Sequence, residues 1–130
     1  MRTGSIGNRD AESLINSLVE PKKTILGDLR KELLSMGFAE EAGYDPINVE
    51  SFVSYSSLGV NRFILKHKWL LVVTLVLSGS VERESIIGKL PEIAPKVFSK
   101  NEQDNTLWSD FDPRLERELI LKVAKTMIEL

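Results

Sequence analysis

The residue types that most often carry acid–base and nucleophilic chemistry are scarce in this chain. His67 is the only histidine among 130 residues, and cysteine is absent. Thiolate nucleophiles, disulfides and two-histidine metal sites are therefore excluded. His67 alternates with Phe63 and Leu65, which on a strand places it at the edge of the core. Although imidazole is the usual near-neutral acid–base group, we interpret this one as structural. Glu40 and Glu41 are interpreted as solvated, and we expect no catalytic residue.

Acidic side chains near the carboxyl end are the next candidates. Asp110 and Asp112 stand two positions apart and close to Trp108, and carboxylates of this kind can bind Mg²⁺ or Ca²⁺. A calcium site needs about 6–8 oxygen ligands, however, and the chain contains no EF-hand pattern. Asp112 precedes a proline, which is typical of the start of a helix. We therefore interpret residues 99–111 as a polar loop and expect neither a metal site nor a cofactor.

Four further side chains offer polar contacts to a partner. Arg62, Lys66 and Lys68 lie on one face of a predicted strand, and Trp108 lies in the predicted loop. They could contact phosphates or an acidic protein, although a solvated face is the simpler interpretation. The net charge is −2, with acids and bases interspersed, whereas non-specific nucleic-acid binders usually present a basic face. Weak nucleic-acid binding is therefore the last of the functional alternatives.

An apolar sheet must position these side chains. Residues 69–77 contain no charge, and their only polar side chain is that of Thr74. A half-buried strand alternates apolar and polar residues. Here both alternating sets are apolar, and the run is rich in β-branched residues. The pattern predicts a central strand covered on both faces, with Leu70, Val72 and Val76 on its second face.

The flanking segments predict helices and further strands. The first helix is expected to be capped by Asp10, the second to end at Gly37, and the last to begin at Asp112. Residues 38–46 predict either a short strand or a loop. In chain order the predicted elements are helices over 10–19 and 21–36, strands over 50–58, 62–67 and 69–77, a helix over 81–98 kinked by two prolines, and a final helix from 112.

These elements predict an α+β fold: a three- or four-stranded antiparallel sheet with two N-terminal helices and two or three C-terminal helices packed in layers. Residues 1–9 are expected to form a flexible arm, and residues 10–130 a single domain. Charged residues precede the apolar run, so we expect no membrane span and a cytoplasmic location. The single glutamine, Gln103, and the lack of cysteine favour a heat-adapted source.

An apolar sheet combined with few catalytic residues favours a non-catalytic protein-interaction module, adaptor-like or chaperone-like and homodimeric. The alternative is a carrier that binds a small apolar ligand between the sheet and the helix over 81–98. This order of helices and strands is shared by many small domains, so it supports no function by itself. The expected interaction surface consists of Leu70, Val72, Val76, Ile93, Val97 and Phe98.

Overall fold

The computed structural model describes residues 8–57, 60–67, 71–77, 99–101 and 106–129. These residues form the predicted α+β fold, with an antiparallel sheet and two helices before it. The elements are α1 (Arg9–Asn16), α2 (Lys22–Ser35), β1 (Ala39–Asp45), β2 (Glu50–Ser57), β3 (Val60–Lys66), β4 (Val72–Leu77), β5 (Ser99–Asn101), β6 (Thr106–Phe111) and α3 (Arg117–Ile128).

The sheet has six strands in the order β1-β2-β3-β4-β6-β5, and all neighbouring strands are antiparallel. The prediction of three or four strands is therefore wrong. The segment 38–46 supplies β1, and the segment 99–111, interpreted as a loop, supplies β5 and β6. The predicted helix over 81–98 and residues 1–7 of the predicted arm lie outside the described residues, so α3 is the one C-terminal helix described.

Strand β6 was missed because its outward-facing side is polar. Ser109 and Phe111 are buried, whereas Trp108 and Asp110 are exposed. This is the alternation of an ordinary strand with one face on the core. Asp110 also contributes to the sheet, since its carboxylate accepts a hydrogen bond of 2.6 Å from the Thr74 hydroxyl of β4.

Helix α1 begins two residues earlier than predicted. Its cap is Asn8, whose Oδ1 accepts hydrogen bonds from the backbone N–H groups of Asp10 and Ala11 at 2.9 and 3.1 Å. Asp10 instead lies in the first turn, where a carboxylate favours the positive end of the helix dipole. The helix ends at Asn16, so Val19, expected on its apolar face, lies in the following loop.

Helix α2 ends as predicted at Gly37. This residue has a φ of 104°, a conformation that glycine adopts without steric cost. The N–H of Gly37 donates to the Leu34 carbonyl at 3.1 Å, and the N–H of Phe38 donates to the Leu33 carbonyl at 3.2 Å. These two bonds form a Schellman motif, which turns the chain from α2 into β1.

Helix α3 begins at Arg117. With a cap at Asp112, it would have begun four residues earlier. The Asp112 carboxylate accepts a bond of 2.9 Å from the Arg114 N–H, and its carbonyl accepts bonds from the N–H groups of Leu115 and Glu116. A separate turn therefore intervenes between the strand and the helix. The prediction that Asp112 caps the helix is wrong. Leu115 lies in this turn rather than in the helix and is 85% exposed.

The three helices of the described residues pack on the same face of the sheet. Their buried residues, among them Ile15, Leu29 and Val123, join one core cluster with the strands. We call this side the helix-covered face. Eight of its apolar strand residues are each at most 1% exposed: Val53, Tyr55, Phe63, Leu65, Val73, Leu75, Leu77 and Phe111.

The side of the sheet away from these helices mixes apolar and polar residues, and we call it the opposite face. Val72 is buried there, at 8% exposed, whereas Thr74 and Val76 are half-buried. The sequence predicts that the central strand is covered on both faces. For β4 this holds fully on the helix-covered face, but only in part on the opposite face. The opposite face includes Glu41, Gly43, Phe52, Ser54, Ile64, Val72, Thr74, Val76, Trp108 and Asp110.

On the opposite face, the ring of Phe52 lies directly over Gly43 of the edge strand. The two residues are cross-strand partners, and a Cβ atom at Gly43 would lie 2.4 Å from the ring. The aromatic ring therefore covers a strand position that has no side chain of its own.

Candidate functional site

The fold brings three loops together at one end of the sheet. The turn between β1 and β2 lies there, since Asp45 and Glu50 are the last cross-strand pair of this hairpin. The Glu50 carboxylate accepts a bond of 3.1 Å from the N–H of His67, which follows β3. Lys22, at the start of α2, donates a hydrogen bond from its Nζ to the His67 carbonyl. We call residues 17–22, 44–50 and 67 the hairpin end.

The tip of the hairpin is held by Asp45. One oxygen of its carboxylate accepts bonds from the N–H groups of Ile47 and Asn48 at 2.9 and 3.3 Å, and the other accepts one from the Asn48 side chain at 2.7 Å. The bond from the Asn48 side chain is the main reason that the pKa of Asp45 is lowered. Val49 takes a φ of 51°, which is unusual for a β-branched residue.

This ordered tip displays apolar side chains to solvent. Ile47 is 89% exposed, and Tyr44 and Val49 are exposed beside it. A single exposed apolar residue is normal on a protein surface. Ile47 and Val49 lie in the turn that the Asp45 carboxylate holds in place, and Tyr44 precedes it in β1, so the three form a defined apolar projection.

The loop between α1 and α2 adds to the same end. Val19 is 80% exposed. The Glu20 carboxylate accepts bonds of 2.8 Å from both the N–H and the hydroxyl of Thr24, and the hydroxyl bond is the main cause of its lowered pKa. Glu20 thereby fixes the start of α2 and the position of Val19 just before it.

A surface pocket of about 440 Å³ lies between this loop and the end of β3. Burial lowers the pKa of the His67 imidazole in its wall, while the nearby Glu50 carboxylate acts in the other direction. The His67 Nε2 is buried and has no hydrogen-bond partner within the described part of the chain. The side chains lining the pocket are Ser17, Leu18, Val19, Glu20, Pro21, Lys22 and His67.

Charges of both signs surround the apolar side chains of the hairpin end. Glu20 and Asp45 supply carboxylates, and Lys22 supplies an ammonium group. Lys66, the last residue of β3, is close enough to Asp45 to contribute to its lowered pKa. The surface is therefore apolar at its centre and electrostatically balanced around it.

The residues expected to form the interaction surface do not lie at the hairpin end. Val72 and Val76 lie on the opposite face, where Val76 is the cross-strand partner of Trp108. Trp108 is 40% exposed. The remaining expected residues, Leu70, Ile93, Val97 and Phe98, lie outside the described residues, as does Lys68.

The expected basic face is not an open patch. Arg62 is buried, in contrast to the expectation of a solvated side chain, and Lys66 is half-buried. Arg62 lies within β3 next to Phe63 of the core and is 3% exposed. Of the four side chains expected to make polar contacts, Trp108 is the exposed one among the described residues.

Sequence reasoning missed the residues that form the exposed tip. Asp45 before a proline, followed by Asn48, is a turn signal, because both side chains bond readily to nearby backbone groups. That signal fell in the segment 38–46, whose alternation is weak. With the hairpin assigned, Ile47 and Val49 would have stood out as apolar residues within a turn.

A second polar group of residues lies inside the fold. The Glu40 carboxylate is fully buried and accepts bonds from Arg30 Nε at 2.8 Å, Arg30 Nη2 at 3.1 Å, the Tyr55 hydroxyl at 2.6 Å and the Asn8 N–H at 2.8 Å. Burial is the main cause of the raised pKa of Tyr55. The interpretation of Glu40 as solvated is wrong. Its partners lie on α2, on β2 and at the start of α1, so this group of residues fixes β1 to the body of the fold.

Comparison of the chain with protein-family models, curated proteins and solved structures finds no match. Among the described residues, no helix has the length and apolar character to cross a membrane. The same residues contain no cluster of three or more histidine, aspartate or glutamate side chains arranged to hold a metal ion. The hairpin end is therefore the candidate functional site within the described residues.

Proposed function

We propose that this chain is a non-catalytic protein-interaction module, adaptor-like or chaperone-like, which self-associates through its hairpin end. The observation that supports this most is the exposure of Ile47 on a tip that Asp45 holds in one conformation. An apolar side chain on an ordered tip loses little conformational entropy on binding, so most of its burial contributes to affinity. Tyr44, Val49 and Val19 extend the apolar area at the same end.

The charge pattern favours a second copy of the chain as the partner. A twofold interface places a surface patch against itself, so the patch must be complementary to itself. The hairpin end meets this requirement, because Glu20 and Asp45 can face Lys22 and Lys66 of the other copy. The apolar residues would then be buried at the centre and the charges would lie at the rim, as in known interfaces.

This proposal moves the interaction surface from the one expected on the central strand. Val72 is too deeply buried to contribute much area, whereas Ile47 is almost fully exposed. The alternative of a ligand carrier depends on residues 81–98, outside the described residues, and stays a prediction. A cytoplasmic location and a heat-adapted source are likewise predictions from the sequence.

Sedimentation velocity over the micromolar range tests the proposal. We expect the unmodified chain to sediment as a dimer. Replacing two exposed apolar residues in the double variant Val19→Ser/Ile47→Ser should raise the dissociation constant at least about 100-fold. Both copies of the dimer carry the substitutions, so four aliphatic contacts are lost, at a cost of at least about 3 kcal/mol.

Leu115→Ser is the matched control, because Leu115 is 85% exposed but lies before α3 rather than at the hairpin end. It should leave the dimer unchanged, and circular dichroism should show the same fold for all variants. A monomer at every concentration, or equal weakening by the control, would refute self-association through this surface.

A further inference from the structure

Within the described part of the chain, strand β1 forms one edge of the sheet, and one of its sides has no neighbouring strand. It pairs with β2 from Ala39 to Asp45 along all of its seven residues. In an antiparallel strand, alternate residues direct their N–H and C=O groups away from the paired neighbour. Among the described residues, no other backbone group bonds to this outward row of β1.

The edge is held rigidly from within. Glu40 bonds to Arg30, Tyr55 and the Asn8 backbone, and the ring of Phe52 covers Gly43 on the opposite face. These contacts fix β1 in an extended conformation before any partner arrives. An added strand would therefore meet a template that needs no ordering of its own.

The usual features that protect a sheet edge are few on β1. Natural edge strands are often very short, or carry proline, lysine, a bulge or an inward-pointing charge. The other edge strand, β5, has only three residues. β1 contains neither proline nor lysine, and the irregular register of the sheet lies between β2 and β3. The one inward charge of β1, Glu40, is paired with Arg30.

We infer that this free edge binds an extended basic segment of another protein by strand addition, an inference that rests on the interaction role proposed above. The chemistry of β1 selects the partner. Its charged residues are all acidic, and because Glu40 is buried against Arg30, the accessible ones are exposed Glu41 and half-buried Asp45. Glu41 is exposed on the opposite face, and Ala42 and Tyr44 lie on the other side of the strand. An added strand that alternates basic and apolar residues places the former beside Glu41 and the latter beside Tyr44.

A second copy of this chain fits the edge less well. Twofold pairing of β1 with itself would bring two acidic strands together, and like charges placed opposite one another across strands are destabilising. The β1 edge and the hairpin end therefore select different partners. The hairpin end is charge-balanced and suits a copy of the chain, whereas the edge is acidic and suits a basic strand.

The test uses the full chain carrying Val19→Ser/Ile47→Ser, so that the outcome does not depend on self-association. The probe is a capped peptide of alternating lysine and valine, equal in length to β1. Titration followed by ¹H–¹⁵N NMR should shift the amide signals of residues 39–45 and slow their hydrogen exchange. A peptide with glutamate in place of lysine should not bind. A peptide N-methylated along one edge should not bind either, because it lacks the donors for strand pairing.

Glu41→Lys should weaken binding of the lysine peptide about fivefold, as expected for reversing one exposed ion pair worth up to about 1 kcal/mol. Glu129→Lys, which makes the same change in net charge at the end of α3, should have no effect. Absence of binding, shifts centred outside residues 39–45, undiminished binding of the methylated peptide, or equal weakening by both variants would each overturn the inference. Peptide binding at β1, together with sedimentation of the unmodified chain as a monomer, would support the edge and refute the proposed dimer.

Discussion

The two faces of the sheet are built from the same strands but differ in what they contribute. On the helix-covered face, apolar strand residues such as Val53, Leu75 and Phe111 are at most 1% exposed. On the opposite face, apolar residues such as Ile64 and Val76 are half-buried and alternate with hydroxyl and carboxylate groups. The comparison indicates that the helix-covered face supplies most of the stability. The exposed residues of the two proposed binding surfaces lie instead at one end and one edge of the sheet.

The difference between the faces is tested most directly by truncating two neighbouring side chains that point to different faces and comparing the loss of stability. Phe63 is fully buried and packs edge-to-face on Phe38, with ring centroids 5.7 Å apart. Phe63→Ala should lower the free energy of unfolding by about 3–5 kcal/mol, through lost transfer energy and a cavity. Ile64→Ala should cost about 1 kcal/mol, because the side chain is already partly in contact with water. Urea denaturation followed by circular dichroism measures both, and equal losses would contradict the division between the faces.

A second pair of neighbours tests charge rather than volume. The Glu40 carboxylate is buried and accepts four hydrogen bonds, whereas Glu41 is exposed on the other side of β1. Glu40→Gln should cost about 3 kcal/mol, because it leaves the Arg30 guanidinium without its buried countercharge. Glu41→Gln should change stability by less than about 0.5 kcal/mol. The same denaturation series measures both variants, and a cost below that of Ile64→Ala for Glu40→Gln would show that solvent screens the pair.

The sequence predicts features that depend on near neighbours. The cap at Gly37 follows from local helix chemistry, and its two hydrogen bonds reach back only three and five residues. The helix-covered side of β4 follows from an apolar run that no exposed segment would carry. Such features could be predicted because their cause lies in the adjoining residues.

Features that depend on distant partners could not be predicted in this way. Judged from its neighbours in the sequence, Glu40 is expected to be solvated. The fold brings Arg30 and Tyr55 to it from 10 and 15 positions away. Asp110 lies in a polar segment that is typical of a loop. Its place in β6 depends on Thr74, which is 36 positions away in the sequence. The hairpin end is formed by three separate loops, so its apolar surface appears only once the strands are paired.

The smallest expected effect lies where the helix-covered face ends, at His67. Burial lowers the pKa of its imidazole below the ordinary 6.5, Lys22 adds to this, and Glu50 acts in the other direction. The unfolded chain therefore binds a proton at a higher pH than the folded chain does, so stability should fall as the pH is lowered through 6.5 towards the lowered pKa. His67→Gln should remove this slope, which urea midpoints at stepped pH would show. Asp45 and Glu20, whose pKa values are also lowered, lose their contribution only below their ordinary values of 3.8 and 4.5, outside this window. If the variant kept the same slope, the pKa of His67 would be the same in the folded and the unfolded chain. The imidazole would then lie in water, and the helix-covered face would end before residue 67.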